Sequence, residues 1–202
     1  MNMLSTKINI SLVWVLAAAL TVTAATSCKN TLNSSISPEK VEELKKKVLD
    51  YLMNNQEGLP DDEIKSMRAS AKSILDLRMK ESPKSITSMD KDLWVYDAIL
   101  KSSEVIFGAT LKGGWIDFKE NGNYTYGFFD GARGQGKYHY SSDTNLLLLL
   151  DNSNAMKPHE YQIKPNNDMI VMEGNGTYKD NNIQAKLSRS ASAPTTPKDD
   201  TK

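Results

Sequence analysis

The feature that most constrains this chain is the texture of residues 92–189, where short stretches alternate apolar with polar residues and are punctuated by Gly, Asn, Asp and Ser. Period-2 alternation sends successive side chains to opposite faces of an extended strand, and the punctuation is turn chemistry. Strands are predicted at 93–100, 115–118, 123–129, 135–140, 145–151, 159–163, 169–173 and 182–187, with a further short candidate at 105–107. Asn121-Gly122, between two of them, is a strong hairpin signal, and the segment Asp130–Gly134, with two glycines, is expected to turn the chain again. Trp94, Tyr96, Ala98 and Leu100 are expected to share one face of the first strand. Tyr124, Tyr126 and Phe128 share a face of another, as do Tyr138 and Tyr140. Residues 146–150 are five consecutive leucines, apolar on both faces of their strand. About eight evenly spaced strands joined by hairpins make an antiparallel meander, and closure into a barrel is the economical way to leave no edge exposed.

The preceding segment has a different period. Ser37-Pro38-Glu39 combines an N-cap, a proline suited to the first helical turn and an acid that complements the helix dipole. Val41, Leu44, Val48 and Leu52 follow at helical spacing. Gly58-Leu59-Pro60 interrupts the helix, Asp61 or Asp62 caps a second one, and Ile64, Met67, Ala71, Ile74 or Leu75, and Met79 form its apolar face. Residues 37–80 therefore read as an αα-hairpin, 81–91 as a linker, and 190–202, which have nothing to bury, as a disordered tail. The fold class is α+β: an N-terminal helical hairpin followed by an antiparallel barrel of about eight strands over 92–189.

Residues 1–27 carry a single charge, Lys7, and nine consecutive apolar residues at 12–20. A membrane span needs about 20 apolar residues, whereas the core of a secretion signal needs only ~7–15. The leader ends at Cys28, the only cysteine in the chain. Ala25-Thr26-Ser27-Cys28 resembles a bacterial lipobox, although Ala25 stands where the commonest form has leucine. The resemblance implies cleavage before Cys28 and its modification with diacylglycerol. A lone cysteine rules out an intramolecular disulfide, and lipidation makes inert a thiol otherwise reactive in an oxidising compartment. Residues 28–36, rich in Ser and Asn, then form a tether. The expected location is the bacterial cell envelope, at the outer membrane on its periplasmic or surface side, with the lipid bilayer as a partner through Cys28. Beyond the leader, 24 basic and 25 acidic residues nearly cancel, which gives no electrostatic basis for nucleic-acid binding.

The β half resembles the lipocalin-like domains of small bacterial lipoproteins. The resemblance rests on Leu93-Trp94-Val95 as an opening strand, on the hairpin Phe118-Lys119-Glu120-Asn121-Gly122-Asn123-Tyr124, on Gly136-Lys137-Tyr138 and on the leucine run. It covers roughly residues 92–189 and does not extend to the helical hairpin. It implies a non-enzymatic barrel that encloses an apolar cavity or binds through its rim, and the general physics of small closed barrels allows either a filled interior or one small ligand. Trp94, Tyr96, Tyr124, Tyr126, Phe128, Tyr138 and Tyr140 face inward if the alternation holds, either as ordinary core or as the lining of a site for a small apolar ligand. The alternative partner is another envelope protein, bound by a filled barrel and its helical hairpin.

Catalytic and metal chemistry find little support in the sequence. His139 and His159 lack a second His or Cys at ligand spacing, and His139, opposite in facing to Tyr138 and Tyr140, is expected at the surface. Asp117, Glu120, Asp130 and Asp143 sit at or beside turns. Gly131–Gly136 lacks the helix and the lysine of a phosphate loop. No cofactor, metal or enzymatic role is expected.

Overall fold

A computed structural model describes residues 39, 42, 43, 59–81, 89–101, 104–107, 113–179 and 181–195. The expected leader, Cys28, the tether and most of the first helix lie outside these residues, although Glu39, Glu42 and Glu43 are helical. Residues 82–88 of the expected linker and 196–202 of the expected tail also lie outside them. Helix α1 spans Asp61–Glu81, with Asp61, Asp62 and Glu63 in its first turn and Arg78 and Lys80 in its last, the arrangement that complements the helix dipole.

Nine strands follow: β1 (Leu93–Lys101), β2 (Glu104–Phe107), β3 (Gly114–Phe118), β4 (Asn123–Phe128), β5 (Gly131–Ser141), β6 (Leu146–Asp151), β7 (His159–Asn166), β8 (Met169–Asn175) and β9 (Ile183–Ser190). β3 to β9 pair in sequence, and β1 pairs with both β3 and β9. Eight strands thus close into an antiparallel barrel, as the meander pattern predicts. β2 lies outside that ring: Ala98–Lys101 of β1 pair with it, whereas Trp94 and Val95 pair with β3. The hairpins β3–β4, β5–β6 and β7–β8 form one end, here the lower end, together with the start of β1 and the end of β9.

The first hairpin turns at Asn121-Gly122, as expected. Gly122 N–H donates to the Lys119 carbonyl at 3.0 Å and Lys119 N–H to the Asn123 carbonyl at 2.8 Å. Gly122 has φ 77°, the left-handed conformation that a three-residue hairpin loop requires.

Two details of the strands depart from the alternation. The register between β1 and β9 shifts between Tyr96 and Ala98. A bulge of this kind inserts one residue and exchanges the faces beyond it. Ile99 is therefore fully buried in the core while Ala98 and Leu100 are half-buried, the reverse of the expected facing. The second departure concerns Asp130–Gly134, of which only Asp130 lies in the turn. The chain reverses at Phe129-Asp130, with Phe129 at φ 49°, and β5 starts at Gly131. Gly134 and Gly136 instead stand directly opposite Tyr126 and Tyr124 of β4, where glycine makes room for a ring to cross the strand.

The interior is one cluster built from alternate residues of all eight barrel strands, including Trp94, Ile99, Phe118, Tyr124, Tyr138, Leu147, Ile163, Ile183 and Leu187. Strand β6 shows why its leucines are apolar on both faces. Leu147 and Leu149 point into the barrel, while Leu148 and Leu150 point out and pack beneath Ala71 and Leu75 of α1, with Tyr178, Met67 and Ile74 around them. Each such fully buried leucine contributes roughly 1.5–3 kcal/mol.

Polar contacts align the helix on the barrel. Arg68 donates to the carbonyls of Met156 and Asp151 at 2.7 and 2.8 Å. Glu63 pairs with Lys179, and Arg78 Nη1 lies 3.9 Å from Glu160 Oε1. His139, expected at the surface, is only 2 % exposed. The alternation did put it outside the barrel, but the outer face of β5 and β6 is covered by α1, a contact between residues far apart in sequence.

Candidate functional site

All seven aromatic residues expected to face inward do so, in one core, but they divide into two groups. The lower group ties its polar tips to nearby chain. Trp94 Nε1 donates to the Met89 carbonyl at 2.9 Å, Tyr138 Oη to the Lys119 carbonyl at 3.0 Å, and Tyr140 Oη to Asn145 Oδ1 at 2.7 Å. Phe118 packs against Tyr138 with ring centroids 4.7 Å apart. Arg189 lies 5.0 Å over the Trp94 ring and is held by Asp92 at 3.6 Å and Asp168 at 3.7 Å. This end is a plug, because its hydrogen-bonding groups already have partners.

The upper group surrounds a small cavity lined by Tyr96, Tyr126, Phe128, Tyr161, Leu149 and Met172, among others. Its volume, counted as the space open to the centre of a water molecule, is about 20 Å3. A single water needs roughly 10–15 Å3 on that measure, so the rings leave space on the scale of one water. Tyr96, Tyr126 and Phe128 were expected from the sequence to line such a site. Tyr161, Leu149 and Met172 were not singled out, although each alternates inward with the rest of its strand.

Between the two groups stand Tyr124 and Asp151. Tyr124, Gly136 and Asp151 occupy one row across β4, β5 and β6. The position a Cβ would take on Gly136 lies 2.7 Å from the Tyr124 ring and 2.8 Å from Asp151 Cα, so the ring crosses the glycine to reach the aspartate. The Tyr126 ring likewise covers Gly134, and its phenol feels the Asp151 carboxylate. Asp151 is 5 % exposed, and its Oδ1 accepts from the Ser153 amide at 2.6 Å. The buried aspartate was legible in principle, because Leu147, Leu149 and Asp151 continue one inward face.

Burial holds all seven described tyrosines above the ordinary phenol pKa, and the Asp151 charge adds to the effect at Tyr124 and Tyr126. A hydrogen bond with Asn181 opposes it in part at Tyr161. These phenols are neutral at physiological pH and serve as hydrogen-bonding groups. A raised folded-state pKa means that the unfolded chain loses protons first, so the stabilisation is complete below about pH 10 and is lost above it. A spectrophotometric titration should therefore show at most one of the eight tyrosines ionising near pH 10, with the other seven ionising only as the fold is lost. Reversible ionisation of three or more near pH 10 in the folded protein contradicts this burial.

The two histidines lie on opposite faces of the sheet. His159 is 2 % exposed inside the barrel and stacks on Tyr161, with centroids 6.3 Å apart. Among the described residues no three His, Cys, Asp or Glu side chains gather as metal ligands.

No family model matches the sequence, and no curated protein matches it. Among solved structures, the crystal structure of a DUF4847 family protein from Bacteroides vulgatus is similar at a TM-score of 0.37 and 8 % identity, covering 52 % of this chain and 96 % of that one. Likeness at this level assigns neither family nor function.

Proposed function

We propose that the protein is a non-enzymatic, lipid-anchored module of the bacterial envelope whose filled barrel and attached helix act through their outer surface on another envelope component. The observation that carries this reading is the packed interior. The seven inward aromatic residues join one core, three of them fix their polar tips to loops, and the cavity beside the others is about 20 Å3. That packing favours a surface role over enclosure of a small apolar ligand.

Anchoring is proposed from the short apolar leader that ends in Ala25-Thr26-Ser27-Cys28. Diacylglycerol on Cys28 supplies two acyl chains, each buried methylene contributing roughly 0.8 kcal/mol, and two chains make attachment stable where one is marginal. Residues 28–36 would then separate the folded part from the bilayer. Cells expressing the protein and fed an alkyne-tagged fatty acid should label the wild type and leave Cys28→Ser unlabelled. Equal labelling of the two proteins contradicts the anchor.

A further inference from the structure

The outer face beneath α1 carries a row of three cross-strand neighbours, His139 of β5, Leu148 of β6 and Glu160 of β7. With strands about 4.8 Å apart, His139 and Glu160 stand roughly 10 Å from each other across Leu148. Arg78 of α1 reaches this row. Its Nη1 lies 3.9 Å from Glu160 Oε1, and its charge acts on His139. The site is closed: His139 and Leu75 are 2 % exposed, Leu148 and Ala71 are fully buried, and Glu160 is 6 % exposed. Glu160 is already held on its other oxygen, which accepts from Thr177 Oγ1 at 2.6 Å and Asn175 Nδ2 at 3.1 Å. Among the described residues, the Tyr178 phenol responds to Glu160 and Arg78, Lys137 on β5 acts on Asp76 of α1, and Arg68 and the Glu63–Lys179 pair also lie between helix and barrel. Burial first, and the Arg78 charge second, hold the His139 imidazole below its usual pKa, so it sits uncharged under the helix. A proton there places a second cation beside Arg78 in an apolar enclosure.

We propose that this row is an acid-operated catch: protonation of His139 loosens α1 from the barrel and uncovers the apolar strip of Leu148 and Leu150 while the barrel stays closed. The barrel can survive the change because its strands form a complete ring without the helix, and α1 packs on the outer faces of Leu148 and Leu150. The sign follows from the depressed pKa of a base. Docking is at full strength above the unfolded-state pKa near 6.5 and weakens as pH falls through the lower folded value. His159 lies on the inner face of the sheet, so its own titration bears on the barrel core.

The test is hydrogen exchange by mass spectrometry on the detergent-solubilised full-length mature protein at pH 7.5 and 5.0, corrected for the intrinsic pH dependence of exchange. The opening constant of residues 61–81 should rise about tenfold at the lower pH, the scale for a single linked proton, while β3–β9 stay protected. His139→Gln should keep α1 equally protected at both pH values. His139→Leu, which matches the apolar surroundings, gives the same readout if glutamine is not accommodated. His159→Gln should respond as the wild type does. The proposal is overturned if α1 opens no further at pH 5.0, if both His139 variants open as the wild type does, or if helix and strands lose protection together.

Discussion

Gly136→Ala should cost about 3 kcal/mol or more of stability. The added Cβ would lie 2.4 Å from the Leu150 carbonyl oxygen and 2.8 Å from Asp151 Cα, as well as 2.7 Å from the Tyr124 ring. Two of these obstacles are backbone atoms of the paired strand β6, so relief requires the β5–β6 pairing to separate. Two companion variants isolate the cause. Gly176→Ala, with nothing within 4 Å of its new Cβ, should stay within about 0.5 kcal/mol of the wild type, as surface changes usually do. For Gly134→Ala the three nearest atoms all belong to the Tyr126 side chain, at 2.2–2.6 Å, so Tyr126→Leu should recover part of its loss, whereas Tyr124→Leu should not rescue Gly136→Ala. Urea denaturation of the set measures these differences. A Gly136→Ala protein within 1 kcal/mol of the wild type would show that β6 does not approach Gly136 as closely as described.

Trp94→Ala should be nearly as damaging, at about 3–5 kcal/mol. The indole is 1 % exposed at the lower end of the barrel, donates to the Met89 carbonyl at 2.9 Å and supports Arg189 at 5.0 Å. Truncation removes a large buried surface, leaves a cavity where β1 meets β3 and β9, and leaves the Met89 carbonyl without its donor. Trp94→Phe retains most of the packing and loses the indole N–H, so it should recover more than half of the loss. If both variants are equally destabilised, the hydrogen bond to Met89 outweighs the packing, contrary to this account. Trp115 offers a contrast. It is buried and donates to the Phe129 carbonyl at 2.7 Å, yet lies outside the interior cluster that contains Trp94.

The strands were legible because each carries its own period, and the barrel was legible because hairpin-sized turns link them. What escaped the sequence was non-local or one residue long. The bulge after Tyr96 has no compositional mark, yet it puts Ile99 in the core instead of Ala98 and Leu100. Gly134 read as part of a turn because glycine serves both turns and close ring approaches, and only the register against Tyr126 distinguishes the two uses. The leucines of β6 announced burial on both faces, but nothing in the strand identified α1 as the cover. For the same reason His139 read as a surface residue. The seven inward aromatic residues were legible individually, whereas their division into a tied lower group and an upper group around a small cavity depends on loops such as Lys119 and Asn145. Asp151 was overlooked because the leucines before it dominated the strand.

The central claim, a filled barrel that works from its surface, is tested most directly by native mass spectrometry of the mature protein extracted from its host membrane. The account predicts the mass of the processed chain from Cys28 onward plus its lipid, with no further small molecule retained. A stoichiometric, non-covalently held molecule of several hundred daltons, released on activation and displaced by filling the interior, would contradict it.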